Sequence, residues 1–175
     1  MLALNKESRE AVIENLSQQF PDVEKSHFEE ALKKMCDEGA SLSEAMEISN
    51  DVLEGMYDQA YRYYNMGQYK KAHPIFSFLF LMNYKDSRFV MGLGACAHMM
   101  QNYPEAIQAY ECASLQNLTD PVPLYHAVDC YINLDDHPNT VKNLKKIIAI
   151  TTDKPEHRVM RDRAIMMLKN EEENA

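Results

Sequence analysis

Cys96 and His98 stand two residues apart in the stretch GLGACAHMM (92–100). A thiol and an imidazole so close in sequence have the types of a nucleophile and its base, or of two metal ligands. Gly92-x-Gly94, just before them, has the start of a phosphate-cradling loop. Each reading makes a demand on its surroundings. A phosphate loop needs a preceding strand and a third glycine three residues after Gly94, where Ala97 stands instead. A metal site needs further ligands at a supporting spacing, and none lies near. The other paired groups, Glu10/Glu14 and Asp135/Asp136, fall on expected exposed faces or turns, and no HExxH, GxSxG or P-loop pattern occurs. These residues predict a protein that is not an enzyme, with no catalytic residue, no metal and no cofactor.

What positions Cys96 and His98 is a repeat. Tyr69-Lys-Lys-Ala72, Tyr103-Pro-Glu-Ala106 and His137-Pro-Asn-Thr140 recur at intervals of 34 residues. In the same phase Phe76, Tyr110 and Leu144 align, as do Leu79, Ala113 and Ile147, Ala60, Gly94 and Val128, and Tyr63, Ala97 and Tyr131. A 34-residue period of small and aromatic positions is the pattern of the tetratricopeptide repeat, a helix-turn-helix unit. Repeats are expected at 53–86, 87–120 and 121–154, the third degenerate because Val128 and Thr140 replace small residues. Ser49-Asn50, Asp86-Ser87 and Asp120-Pro121 supply caps for the first helices, Pro104 and Pro138 open second helices, and Gly67 falls in a turn. In this frame Gly94 is the small residue where a neighbouring helix approaches. Cys96 and Cys130, 34 apart, are equivalent core positions, and a buried free Cys behaves as a small hydrophobe.

Composition agrees with helix. Gly 5 and Pro 7 are too few for a chain of tight β turns, and 12 Met add to the helix formers. A net charge of −9 repels phosphate backbones, so nucleic acid is not an expected partner. The four Cys form no CxxC pair and the first 20 residues carry no signal-peptide pattern, which predicts free thiols in a reducing cytoplasm. The longest apolar run, PIFSFLFLM (74–82), is far shorter than the roughly 18 residues of a membrane span. No direct membrane insertion is expected.

Outside the repeats, residues 1–48 form an N-terminal helical segment. Val12, Ile13, Leu16 and Phe20 share one helical face, and Phe28, Ala31, Leu32, Met35 and Cys36 share another, with Glu29-Glu30 and Lys33-Lys34 opposite. Residues 155–175 read as a capping helix, with Met160, Ala164, Met167 and Leu168 inward and a solvated face at Arg158, Arg161 and Arg163, then an acidic tail at Glu171-Glu172-Glu173. PIFSFLFLM is apolar nearly all round. Phe78, Phe80, Leu81 and Met82 exceed what a repeat needs, so either the N-terminal helices or a second copy must cover them. Phe78 and Met82 are the dimer contacts a second copy would meet.

Stacked repeats line a concave groove with their first helices. The groove positions are Tyr57, Tyr61 and Tyr64, then Arg88, Met91, Ala95, His98 and Met99, then Val122, Tyr125, Asp129, Ile132 and Asn133. Tyrosine gives rigid area and a hydroxyl for a peptide backbone, and Met adapts to varied shapes, so the surface suits an extended apolar peptide. A general repeat scaffold or co-chaperone that clamps C-terminal carboxylates is the alternative. It needs Lys and Asn where this chain has Tyr57, Tyr61, Met91 and Ala95.

The stretches YNMGQYKKAHPIF (64–76), DSRFVMGLGACAHMMQNYPEAIQAY (86–110), HAVDC (126–130) and EISNDVLEGMYDQAY (47–61) carry a closer resemblance. Over residues 40–150 the chain resembles the class II chaperones of bacterial type III secretion, the SycD/LcrH/IpgC group. That resemblance implies an all-α fold of three repeats behind N-terminal helices. It implies a protein of the bacterial cytoplasm that binds hydrophobic translocator proteins before secretion, through an extended Pro-x-Leu-x-x-Pro segment in the groove. Tyr57, Tyr61 and Tyr64 match the family's aromatic groove positions. A homodimer through the N-terminal helices and first repeat is also implied, which adds Phe28, Leu32 and Met35 to Phe78 and Met82 as its contacts. The helix at 8–20 is extra relative to shorter members, and Phe78 is bulkier than the family pattern.

Overall fold

The computed structural model describes residues 6–19, 21–22 and 24–173; Phe20, expected on the first helix's apolar face, lies outside them. The described chain is all-α. Helices α1 (Lys6–Gln19) and α2 (Lys25–Asp37) pack on each other, and α2 leads into a short α3 (Leu42–Ala45). Six helices follow: α4 (Asn50–Asn65), α5 (Tyr69–Met82), α6 (Ser87–Met99), α7 (Tyr103–Gln116), α8 (Val122–Asn133) and α9 (His137–Thr151). A 3-10 turn at Pro155–His157 leads into α10 (Arg158–Glu173). From α4 onward each helix packs chiefly on the next, the one-dimensional contact pattern of a solenoid.

The helix ends follow from local chemistry. Ser49 Oγ accepts from the Asp51 N–H at 3.1 Å, and Asp86 Oδ1 from the Arg88 N–H at 3.0 Å. Asp120 Oδ1 accepts from the Val122 N–H at 2.9 Å, with Pro121 already in helical conformation between them. The three turns inside the repeats each end on a residue with positive φ: Gly67 at 71°, Gln101 at 62° and Asp135 at 54°. Only the first is a glycine. The other two hold a left-handed conformation that costs an L residue roughly 1–2 kcal/mol, offset by helix-closing bonds from the Asn102 N–H to the Ala97 carbonyl at 2.9 Å and from the Asp136 N–H to the Tyr131 carbonyl at 3.0 Å.

The repeat's aligned positions form the core. Ala60, Gly94 and Val128 are buried, as are Ala72, Ala106 and Thr140, Phe76, Tyr110 and Leu144, and Leu79, Ala113 and Ile147. Thr140 fits because its hydroxyl donates to the Asp136 carbonyl at 2.9 Å. Cys96 and Cys130 are both 0% exposed. At the far end Ala164 is buried against Leu144 and Ile147, with Met160, Met167 and Leu168 packed around them.

Four expectations need correction. Met82 is only 6% exposed and belongs to the core with Phe76 and Leu79, so it is not on the surface offered to a second copy. Phe80 also points inward, against Val90, Ala109 and Ala113. The last turn of α5 therefore serves the core, with Met82 in the first repeat's cluster and Phe80 against the second repeat, while Phe78 and Leu81 stay 41% and 63% exposed. Arg161 is not a purely solvated side chain: its Nη1 donates to the Thr151 and Thr152 carbonyls at 3.1 and 2.6 Å, closing the end of α9. The triple glutamate is helical rather than frayed, because Glu171 meets His137 Nδ1 at 2.7 Å and Glu172 meets Lys145 at 3.4 Å.

The N-terminal helices sit apart from this logic. α2 has no fully buried residue, and Phe28, Leu32 and Met35 are half-covered. α3 is the piece of this segment that packs on α5. A capping box holds it: Ser41 Oγ accepts from the Glu44 N–H at 3.3 Å, while Glu44 Oε2 accepts from the Ser41 N–H at 2.6 Å. Lys85, just beyond α5, donates to the same Glu44 oxygen at 2.8 Å. Together these hold the Glu44 carboxyl at about 2, Lys85 contributing most.

Candidate functional site

An open cavity of about 340 Å3 lies between α4 and α6. Tyr57, Tyr61 and Tyr64 line it from α4, and Arg88, Met91, Gly92 and Ala95 from α6, with Ser87 at the edge. Phe76 reaches it from α5. Six of the thirteen groove residues expected from the repeat phase thus surround one cavity. The tyrosines are ordered by each other. Tyr57 and Tyr61 stack with centroids 6.1 Å apart, Tyr57 meets Phe76 edge-on at 5.9 Å, and Tyr64 meets Tyr69 edge-on at 5.2 Å. Tyr61 is the most open, at 51% exposure. Burial pushes the Tyr57 and Tyr64 hydroxyls above their ordinary value, so both stay protonated donors.

Arg88 forms the polar rim. Its guanidinium lies 4.9 Å from the Tyr57 ring centroid and bonds Asp86 at 2.6 Å and Glu54 at 2.5 Å. Those hydrogen bonds, Asp86 first, raise its already high pKa. Glu54 belongs to α4 and Arg88 to α6, so the pair ties the first two repeats together across the rim.

The remaining expected groove residues are placed differently. His98 Nε2 lies 3.0 Å from Asp129 Oδ2, which ties α6 to α8. Its ring meets those of Tyr103 and Tyr110 edge-on at 5.8 and 6.3 Å. Tyr103 donates to Asn133 Oδ1 at 3.1 Å. Tyr125 is half-buried against the Leu124 and Val128 cluster, away from the tyrosine cavity, and Ile132 is 36% exposed. The face is apolar over the first two repeats and polar over the last junction.

His98 is paired with a carboxylate, not with Cys96. Burial pushes the Cys96 thiol up to about 12, which leaves it a neutral packing group. Among the described residues no group of three or more His, Cys, Asp or Glu could hold a metal ion. No described helix is long and apolar enough to cross a membrane. The arrangement holds apolar side chains beneath a rim of hydrogen-bonding groups.

Three lining residues, Phe76, Ser87 and Gly92, lie outside the groove positions of the repeat phase. Phe76 was assigned to the core alone, yet it also floors the cavity. Gly92 was given no part, yet a Cβ there would overlap the Phe76 ring. The contact recurs one repeat on, where Tyr110 stacks on His126 at 5.2 Å, but no sequence pattern marks it, because the glycine at 92 becomes a histidine at 126.

Comparison with known proteins follows this geometry. The tetratricopeptide repeat family model matches residues 53–86 and 87–115. The chain is 31% identical over 138 residues to low calcium response locus protein H of Yersinia pseudotuberculosis serotype I, covering 79% of this chain and 82% of that protein. The type III secretion chaperone SycD of Yersinia enterocolitica, solved in complex with a peptide of the translocator YopD, superposes with a TM-score of 0.68 at 31% identity, covering 73% of this chain and 98% of that one. Another SycD structure, an alternative dimer, gives a TM-score of 0.67 at 32% identity over 73% of this chain and 97% of that one.

Proposed function

Because the chain belongs to the family of low calcium response locus protein H and SycD, the class II translocator chaperones of type III secretion, we propose that it holds an extended segment of a hydrophobic translocator in the groove of α4, α6 and α8. The observation that carries this reading is the tyrosine cavity between α4 and α6, in a chain similar along nearly all of SycD's length to a chaperone seen with a translocator peptide. An apolar side chain of the client enters over Phe76 and is flanked by Tyr57, Tyr61 and Met91. Arg88 and the tyrosine hydroxyls meet the client backbone. Each buried anchor contributes about 1.5–3 kcal/mol, offset by the cost of ordering the segment, so two or three anchors give roughly micromolar affinity.

The protein acts in the bacterial cytoplasm as a binding module and not as an enzyme. It covers a client segment that would otherwise associate or insert too early. It forms a homodimer in which Phe28, Leu32, Met35 and Phe78 supply the apolar contact. Support for this comes from the half-covered face of α2, the exposed Phe78, and the dimeric SycD structure.

Fluorescence anisotropy with a labelled Pro-x-Leu-x-x-Pro peptide tests the groove. Wild type binds saturably, and Tyr61→Ala and Tyr64→Ala each weaken binding about tenfold, or about 1.4 kcal/mol, with helicity unchanged. A folded protein that binds no such peptide, or variants that bind as well as wild type, overturns the reading.

A further inference from the structure

We propose a second peptide subsite beside the groove, which takes an acidic residue of the client next to an apolar one. It rests on the groove reading and extends the segment held there.

A cavity of about 480 Å3 opens at the edge of the first two repeats, lined by residues 67–71 and by Met99 and Met100. It adjoins the groove through one tyrosine pair. Tyr64 lines the groove cavity, Tyr69 lines this one, and their rings meet edge-on at 5.2 Å. A client segment that crosses Tyr64 passes directly from one cavity into the other.

The chemistry of the second cavity differs from the first. Met99 and Met100 give an adaptable apolar wall. Lys70 and Lys71 line it side by side, and among the described residues neither has an ion-pair partner. Lys71 Nζ lies 5.6 Å over the Tyr63 ring, and the first turn of α5 contains no acidic residue. In a chain with net charge −9, two adjacent cations without carboxylates form a local reversal of sign. A carboxylate-bearing segment matches it. The apolar wall favours a peptide over a simple anion.

The test compares five labelled peptides: the Pro-x-Leu-x-x-Pro core, the core with an Asp-Asp-Leu extension at one end or the other, and the same two with Asn-Asn-Leu. The proteins are wild type and Lys70→Gln/Lys71→Gln. In wild type at low salt, the acidic extension at one end tightens binding about fivefold over its Asn counterpart, and the gain shrinks as salt screens it. In the double variant the gain vanishes while affinity for the core peptide is unchanged. Equal affinity for the acidic and Asn extensions, with core binding intact, overturns the subsite and leaves the groove reading standing. If the core does not bind but the acidic extension alone binds in a lysine-dependent way, the subsite stands and the groove reading falls. No binding by any peptide overturns both.

Discussion

The ring of Phe76 lies against the bare backbone of Gly92, where a Cβ would overlap its Cε1, Cδ1 and Cζ atoms. This contact lets α6 approach α5 closely enough for Phe76 to be both core and cavity floor. Replacing Gly92 by Ala sets two effects against each other. Helix propensity gains about 0.8–1 kcal/mol, while overpacking costs about 1–3 kcal/mol. The second wins, because the ring is 2% exposed and meets Tyr57 edge-on, which leaves it little room to move away. Gly92→Ala is expected to lower stability in urea unfolding and to weaken peptide binding. Gly55→Ala is the control: nothing lies within 4 Å of a Cβ there, so it should raise stability.

Phe78 and Met82 sit on the same helix with opposite fates. Phe78→Asp should shift the protein toward monomer in analytical ultracentrifugation with little change in melting. Met82→Ala should leave the dimer intact at low temperature and lower unfolding stability by about 2–5 kcal/mol. The reverse assignment of effects would place the dimer contact elsewhere.

The cysteines should divide by burial. Cys96 and Cys130 are 0% exposed, and burial pushes both thiols up to about 12. In native protein, mass spectrometry after iodoacetamide should find Cys36 and Cys112, both half-buried, labelled ahead of these two. All four should label in denaturant. Fast native labelling of Cys96 would mean that the first and second repeats open readily.

Acid should loosen the N-terminal segment through Glu44. Its carboxyl lies at about 2 in the folded chain, below an ordinary 4.5, because of Lys85 and the Ser41 N–H. A depressed carboxylate contributes stability that is complete above its ordinary value and is lost as pH falls toward the folded one. The stability difference between wild type and Glu44→Gln should therefore be constant above about pH 5 and shrink between about pH 4.5 and 2. The contact is largely exposed, so the difference should be small and reduced by salt. A difference that stays flat across that range would remove the contact's role in docking α3.

How legible all this was in sequence depended on whether a feature repeats. Phe76, Tyr110 and Leu144 stand out because a solenoid asks the same volume of each copy at the same interval. Helix ends at Ser49 and Asp86 were legible because capping is local chemistry. Met82 was not. Its equivalents, Gln116 and Ile150, do not mark a core position, and an all-apolar run gives no phase from which to tell inside from outside. The positive φ of Gln101 and Asp135 was hidden because neither is a glycine. The His98–Asp129 contact joins residues 31 apart on different helices, and no local rule pairs them.

The ties Arg88–Glu54 and His98–Asp129 each span one junction between repeats on the same face. The packed helices set the spacing of that face and the two pairs add a little to it, so it is a ruler whose graduations stand before anything is laid on it. A client segment must then bring its anchors at the spacing the ruler sets. Inserting one residue between two anchors should therefore weaken binding more than trimming either anchor by a methyl group. The chaperone selects by distance along the chain as well as by side-chain type.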